Sequence, residues 1–169
     1  MSRGFEVAEG FENINLPKRQ TKNAAGYDFE SSAYITIPSV WKQGFKYIFN
    51  KVFSGGKEVE EKIFKPTLVP TGVKAYMEED EVLLLYNRSS NPLKRFLLLG
   101  NGVGVIDGDY YGNPDNDGHI MFQFINFGIN DITIKPGERI GQGVFQKFLK
   151  ADNDSGVEKE RVGGFGSTN

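Results

Sequence analysis

The chain has 169 residues, a formal net charge of −2 and no cysteine. That size suits one domain, and the missing thiols exclude disulfides, thiolate zinc sites and cysteine nucleophiles. The slightly negative balance argues against general binding to DNA or RNA backbones while allowing a local basic pocket for a small phosphate compound. No apolar run is long enough to cross a bilayer and no signal-peptide core is visible, so no membrane partner and a cytoplasmic location are expected.

In chain order, Tyr34-Ile35-Thr36-Ile37 reads as a strand stopped by Pro38. The rhythm then changes from Val40 to Phe64. Trp41, Phe45, Ile48, Phe49, Val52 and Phe53 follow spacings of four, three, one, three and one, which place them on one side of a helix. Gly55-Gly56 would end it. A helix or long hairpin packed on the rest of the fold is one reading; a helix presented to a protein partner is the other. Val82–Tyr86 is a further strand, closed by the turn-rich run from Asn87 to Pro92. Residues 120–127 alternate in their middle and stop at Gly128, Ile132–Ile134 runs into Lys135-Pro136-Gly137-Glu138, and Gly143–Phe148 is another strand. Short strands with regular turn signals predict an all-β fold, a barrel or sandwich, rather than βαβ units.

The chemistry-bearing residues cluster in a few places. Gly104-Val105-Ile106-Asp107-Gly108-Asp109-Tyr110-Tyr111-Gly112 brackets two carboxylates and two tyrosines with glycines. Asp107 follows two β-branched residues, so it ends a strand beside a tight turn, where a carboxylate can take a proton from water and aim the hydroxide. Tyr110 can lie flat against a sugar or base. A solvent-facing Asp-Gly hairpin turn explains the same residues. Arg88-Ser89-Ser90 offers a guanidinium, two hydroxyls and backbone N–H groups to a phosphate, and is also an ordinary turn sequence. Gln142 can donate to a phosphate oxygen or satisfy backbone. The loop Asn113–Gly118 lacks the further ligands of a calcium site, and His119, the only histidine, has no identifiable partner for catalysis. The terminal run Arg161–Asn169 is glycine-rich and suits no core; it is either a frayed end or an arm that folds over a ligand.

Taken together these fragments resemble the five ordered motifs of the trimeric dUTPase family (deoxyuridine 5′-triphosphate nucleotidohydrolases). They are Ala25–Phe29, Arg88–Ser90, Asn101–Gly112, Gly137–Gln142 and Arg161–Thr168. The resemblance implies a jelly-roll-like β-barrel over residues 1–160, an insertion at about 40–64, and a mobile C-terminal arm, 161–169, that closes a neighbouring subunit's site. It implies hydrolysis of dUTP to dUMP and pyrophosphate by a homotrimer, with Mg2+ held by substrate phosphates and water rather than directly by protein. Asp107 is then the carboxylate that activates water. Asn101 reads uracil with the hairpin backbone of Gly104, Val105 and Ile106, and Tyr110 lies under the deoxyribose. Arg88, Ser89, Ser90 and Gln142 contact phosphates. Arg161 covers the γ-phosphate, Phe165 covers uracil, and Gly166 and Ser167 follow in the arm. Asp28 supports the water network on the metal side.

The insertion and the extra polar loop at Asn113–Gly118 depart from the family's usual pattern. The insertion resembles those of some bacteriophage and Gram-positive-type members, which implies host cytoplasm if the chain is phage-encoded. Phage members engage a regulatory repressor protein, which makes such a protein a candidate partner for residues 40–64. A dCTP deaminase-like enzyme and a non-enzymatic regulatory or virion protein share the fold. The first needs an additional acid–base glutamate, for which the Asn101–Gly112 hairpin offers no candidate.

Overall fold

A computed structural model describes residues 2–53, 65–154, 156 and 164. Among them are eleven strands and two helices. The strands are β1 (Gly4–Val7), β2 (Tyr27–Glu30), β3 (Ile35–Ile37), β4 (Thr67–Pro70), β5 (Val73–Tyr76) and β6 (Glu81–Asn87), followed by β7 (Leu97–Leu99), β8 (Gly104–Asp107), β9 (Met121–Asn126), β10 (Ile132–Ile134) and β11 (Arg139–Lys147). The helices are α1 (Val40–Phe53) and α2 (Ser90–Arg95).

The strands form four separate antiparallel sheets, in orders β2-β11-β6-β8, β4-β9-β7, β1-β5 and β3-β10. This corrects the expected all-β closed barrel. No ring of strand pairing closes among the described residues, and a 14-residue helix makes the architecture mixed α/β with open sheets. The physical reason lies in pairing. Period-two patterning tells which face of a strand is buried, but not whether its edge finds a partner. In the largest sheet β2 and β8 are edges, and β11 slips register between Arg139 and Gly141 against β2.

The core lies between the sheets. Phe29 of β2, Leu83 and Leu85 of β6, and Phe122 and Phe124 of β9 are essentially inaccessible to solvent, with Ile37, Val69, Leu97 and Ile140 around them. Each large apolar side chain buried in this way contributes about 1.5–3 kcal/mol. Alternation sets the faces: Leu83 and Leu85 point inward, while Val82, Leu84 and Tyr86 lie on the outer side of β6.

Helix α1 begins where the spacing placed it, and the described part ends at Phe53. Its N-terminus is fastened. The Ser39 N–H donates to Asp131 at 3.0 Å, the Ser39 hydroxyl donates to the Gly128 carbonyl at 2.6 Å, and the Trp41 indole donates to the Phe127 carbonyl at 3.0 Å. Beyond that the helix does not pack its apolar stripe: Phe45, Ile48, Phe49, Val52 and Phe53 are all exposed. The segment 54–64 lies outside the described residues. No helix among the described residues is long and apolar enough to cross a membrane.

Candidate active site

Strand β8 and the 3₁₀ turn after it, Gly108–Tyr110, build the main site. Gly104, Ile106 and Leu85 share the inner face of the β6–β8 pair, because Leu85 pairs with Gly104 and Leu83 with Ile106. They line a pocket of about 200 Å³ together with Asn101, Val105 and Tyr110. Five residues singled out from sequence (Asn101, Gly104, Val105, Ile106 and Tyr110) therefore converge. Met121 and Gln123 of β9 and Gly164 complete the wall. Leu85, Met121 and Gln123 were missed, because a strand residue lining a pocket reads in sequence like any core or surface position. Gly164 sits against the Tyr110 ring so closely that a Cβ there would lie 2.7 Å from Tyr110 Cε2, an approach open only to glycine.

Tyr110 is 5% exposed. Its hydroxyl donates to the His119 carbonyl at 3.0 Å and accepts from Asn116 Nδ2 at 2.8 Å. His119 is buried, and its Nε2 accepts the Gly72 N–H at 2.9 Å. Burial pushes its pKa down to about 4, so the ring is neutral near pH 7 with the proton on Nδ1. The polar loop that read as a poor calcium site is thus a brace for the pocket's aromatic floor. Asp117 in that loop accepts from Lys74 Nζ at 2.8 Å and from the Glu9 N–H at 2.8 Å. The hydrogen bond from Lys74 is the main reason its carboxyl lies below the usual range.

Asp107 ends β8 as expected, on the opposite face from Gly104 and Ile106. It lines a neighbouring acidic groove with Glu78, Glu79, Glu81 and Asp109. The other predicted polar residues gather elsewhere. Asp28 is 7% exposed and accepts from Arg139 Nη1 and Gln142 Nε2, both at 3.1 Å. Arg88 Nη1 donates to the Arg139 carbonyl at 3.0 Å. Ser89 stands at the N-terminal boundary of α2 without a side-chain capping bond and Ser90 opens the helix, a short helix where the sequence suggested only a turn. Gln142 shares the outer face of the sheet with Asp107, but Gln142 pairs with Tyr86 and Asp107 with Val82. Four residues along one strand is a separation of about 13 Å, before adding the width of the intervening strand. Within one chain the two cannot touch the same phosphoryl group. Arg161, Phe165, Gly166 and Ser167 lie outside the described residues.

Among the described residues no three His, Asp or Glu side chains converge as a metal site needs. Asp28, the carboxylate nearest to such a role, already accepts from an arginine and an amide.

A small pocket on β8, floored by a braced tyrosine, lies beside a strand-end carboxylate and apart from a guanidinium-amide cluster, an arrangement able to hold a phosphate-bearing ligand. Residues 56–169 match the family described as dUTPase. The deoxyuridine 5′-triphosphate nucleotidohydrolase of Lactococcus lactis is 48% identical over 98% of this chain and 97% of its own length. The crystal structure of the Streptococcus mutans dUTPase superposes with a TM-score of 0.72 at 44% identity, covering 88% of this chain and 98% of that one. The dUTPase of phage phi11 of S. aureus shares the fold alone, with a TM-score of 0.66 at 18% identity over 94% of this chain and 97% of that one. The chain belongs to the dUTPase family, as an enzyme that hydrolyses dUTP to dUMP and pyrophosphate.

Proposed function

We propose that the pocket on β8 holds the deoxyuridine end of dUTP and that Asp107 directs the attacking water. The observation that carries this reading is the convergence of Asn101, Gly104, Val105, Ile106 and Tyr110 on one pocket, with Asp107 closing the same strand. The volume, about 200 Å³, is below the roughly 300–1,000 Å³ of pockets that enclose a drug-sized ligand. It suits a base and part of a sugar, with the phosphates leaving around the end of β8.

Asn101 and the hairpin backbone meet the uracil edge. Cytosine presents the opposite donor and acceptor pattern and leaves buried groups unpaired. The Tyr110 ring packs under the deoxyribose and leaves no room for a 2′-hydroxyl. Asp107 accepts a proton from water as the water oxygen bonds to the α-phosphorus. The bond from that phosphorus to the bridging oxygen breaks, and pyrophosphate leaves with the electron pair. Mg2+ accompanying the nucleotide would neutralise part of the triphosphate charge through phosphate oxygens and water, and Asp28 would support it indirectly. Arg88, Ser89, Ser90 and Gln142 supply phosphate contacts.

The separation of Gln142 from Asp107 supports a homotrimer in which one copy's phosphate cluster serves another copy's pocket. The arm 161–169, with Arg161 over the γ-phosphate, Phe165 over uracil, and Gly166 and Ser167 behind it, closes the site. The high identity to the L. lactis protein supports a Gram-positive-type member over a phage-type one, and a cytoplasmic location. The apolar stripe of α1 is flanked by Lys42, Lys46 and Lys51, and the helix contains no acidic residue; this supports an acidic regulatory protein as partner for the insertion.

The test is Asp107→Asn. The variant keeps affinity for a non-hydrolysable dUTP analogue by calorimetry, while pyrophosphate release falls by about 10²–10⁴-fold. Turnover at the wild-type rate removes Asp107 from the mechanism.

A further inference from the structure

The loop Asn113–Gly118 lies between the 3₁₀ turn after β8 and β9, and the mechanism above does not use it. Its hydrogen bonds have a direction. Asn113 is 5% exposed and donates through Nδ2 to the Tyr110 carbonyl at 2.8 Å and to Asn116 Oδ1 at 2.9 Å. Asn116 Oδ1 also accepts the Gly118 N–H at 3.1 Å. With its oxygen held by two donors, the Asn116 carboxamide has its orientation set, and its nitrogen points at the Tyr110 hydroxyl at 2.8 Å. That hydroxyl donates its own proton to the His119 carbonyl. The next residue, Asp117, anchors the loop to Lys74 of β5 and to the Glu9 backbone. The phenol oxygen is therefore pinned from two sides, by Asn116 of the loop and by the His119 carbonyl just after it, and the loop is itself tied to β5 and to the Glu9 backbone.

We infer that Asn116 is a positioning residue for the reaction: by fixing the Tyr110 hydroxyl it sets the tilt of the ring under the sugar, and so sets discrimination at the ribose 2′ position. This rests on the reading of the pocket as the deoxyuridine site. A ring held only at Cβ can swing about χ1, carrying its hydroxyl through an arc, and open space beside the sugar. A ring held also at its hydroxyl cannot swing without breaking two hydrogen bonds. Loss of one such bond corresponds to about a three- to tenfold effect.

The experiment is a double-mutant cycle of Asn116→Ala and Tyr110→Phe in the full-length enzyme, with kcat and KM measured for dUTP and UTP. Thermal unfolding of each variant confirms folding. Where Asn116→Ala does not fold, Asn116→Asp replaces it, since it keeps the oxygen that accepts from Asn113 and Gly118. Asn116→Ala is expected to raise KM for dUTP about three- to tenfold, leave kcat within about twofold, and lower the dUTP-to-UTP ratio of kcat/KM by about threefold or more. Tyr110→Phe shifts the same quantities, and the double variant is no worse than Tyr110→Phe alone. A full-sized effect of Asn116→Ala when Tyr110→Phe is already in place means that it acts by loosening the loop, which overturns the inference. So does an Asn116→Ala enzyme with unchanged discrimination. If Tyr110→Phe changes neither KM nor discrimination, or shifts them while Asn116→Ala does not, the inference fails alone, because the ring that packs under the sugar is still present; only a Tyr110→Ala enzyme with unchanged KM and discrimination sinks the sugar reading as well.

Discussion

Acidification should destabilise this protein through one side chain, and the size of the effect follows from its surroundings. His119 is 8% exposed, with the Phe11 ring 4.5 Å away between centroids and its Nε2 occupied by the Gly72 N–H. Protonation would place a second N–H against that donor where burial leaves little water to solvate the charge. The folded pKa accordingly drops from 6.5 to about 4. Because the folded value lies below the unfolded one, the unfolded chain binds the proton first as pH falls. The stabilisation from a neutral His119 is complete above pH 6.5, declines as pH falls toward 4, and stops changing below that. With one pKa unit equal to about 1.36 kcal/mol, the total loss is roughly 3 kcal/mol. For a protein of this size that is roughly a 6–12 °C fall in Tm. Carboxylates titrate in the same range, so the reading is a difference. Urea denaturation of wild type and of His119→Gln, whose side-chain oxygen can still accept from Gly72, is measured from about pH 7.5 to about pH 4 at fixed protein concentration. The wild type should lose stability relative to the variant as pH drops below 6.5. Parallel stability curves would refute the buried, neutral assignment.

Gly141→Ala should be among the more damaging single changes, because the new Cβ would lie 2.0 Å from Phe122 Cε1. Phe122 is stacked on Phe124 and tilted against Phe29 in the core, so the overpacking should cost about 1–3 kcal/mol or more, read as a lower Tm; an unchanged Tm would mean that the ring has room to yield. Lys74→Ala leaves the Asp117 carboxylate without its main partner and should lower stability by about 1–3 kcal/mol, with denaturation midpoints as the readout. Deleting residues 161–169 should leave the oligomer intact by light scattering and cut pyrophosphate release sharply; normal turnover of the truncated form would refute the closing-arm reading.

Much of the candidate pocket was legible because its residues lie close together in the chain. Asn101 through Tyr110 lie on β8 and the turns that flank it, and two β-branched residues before Asp107 were enough to put it at a strand end. The α1 spacing was equally readable, since a helical stripe repeats within a dozen residues. What stayed hidden was non-local. Nothing in the order Asn113-Pro114-Asp115-Asn116 shows that the amide of Asn116 reaches back six residues to a phenol. Nor does His119 in sequence reveal that Gly72, 47 positions away, will occupy its ring nitrogen. The closed barrel failed for the same reason: strand patterning was right for β3, β6, β9, β10 and β11, but pairing across edges depends on long-range register. Helix α2 was read as a turn because Ser90-Asn91-Pro92 favours both. Pro92 is tolerated in the first turn, where its missing N–H costs nothing, and buried Asn91 ties the turn to Asn87 and the Ile140 carbonyl.

Alternation along β8 makes one strand serve two surfaces. Gly104 and Ile106 face the core side and shape the pocket, so Asp107, an odd number of positions away from each, must face outward. The chain then enters the 3₁₀ turn at Gly108, and within three residues that turn carries Tyr110 back to the pocket side. Carboxylate and aromatic therefore stand on either side of one corner, as a substrate needs when its base and sugar sit inside a small pocket and its phosphates must leave it. A one-residue insertion between Ile106 and Asp107 would move the carboxylate to the inner face while leaving Asn101, Gly104, Val105 and Ile106 in register. That change should abolish turnover and preserve binding of dUMP. If binding were lost as well, the corner, and not the carboxylate alone, would be what orders the pocket.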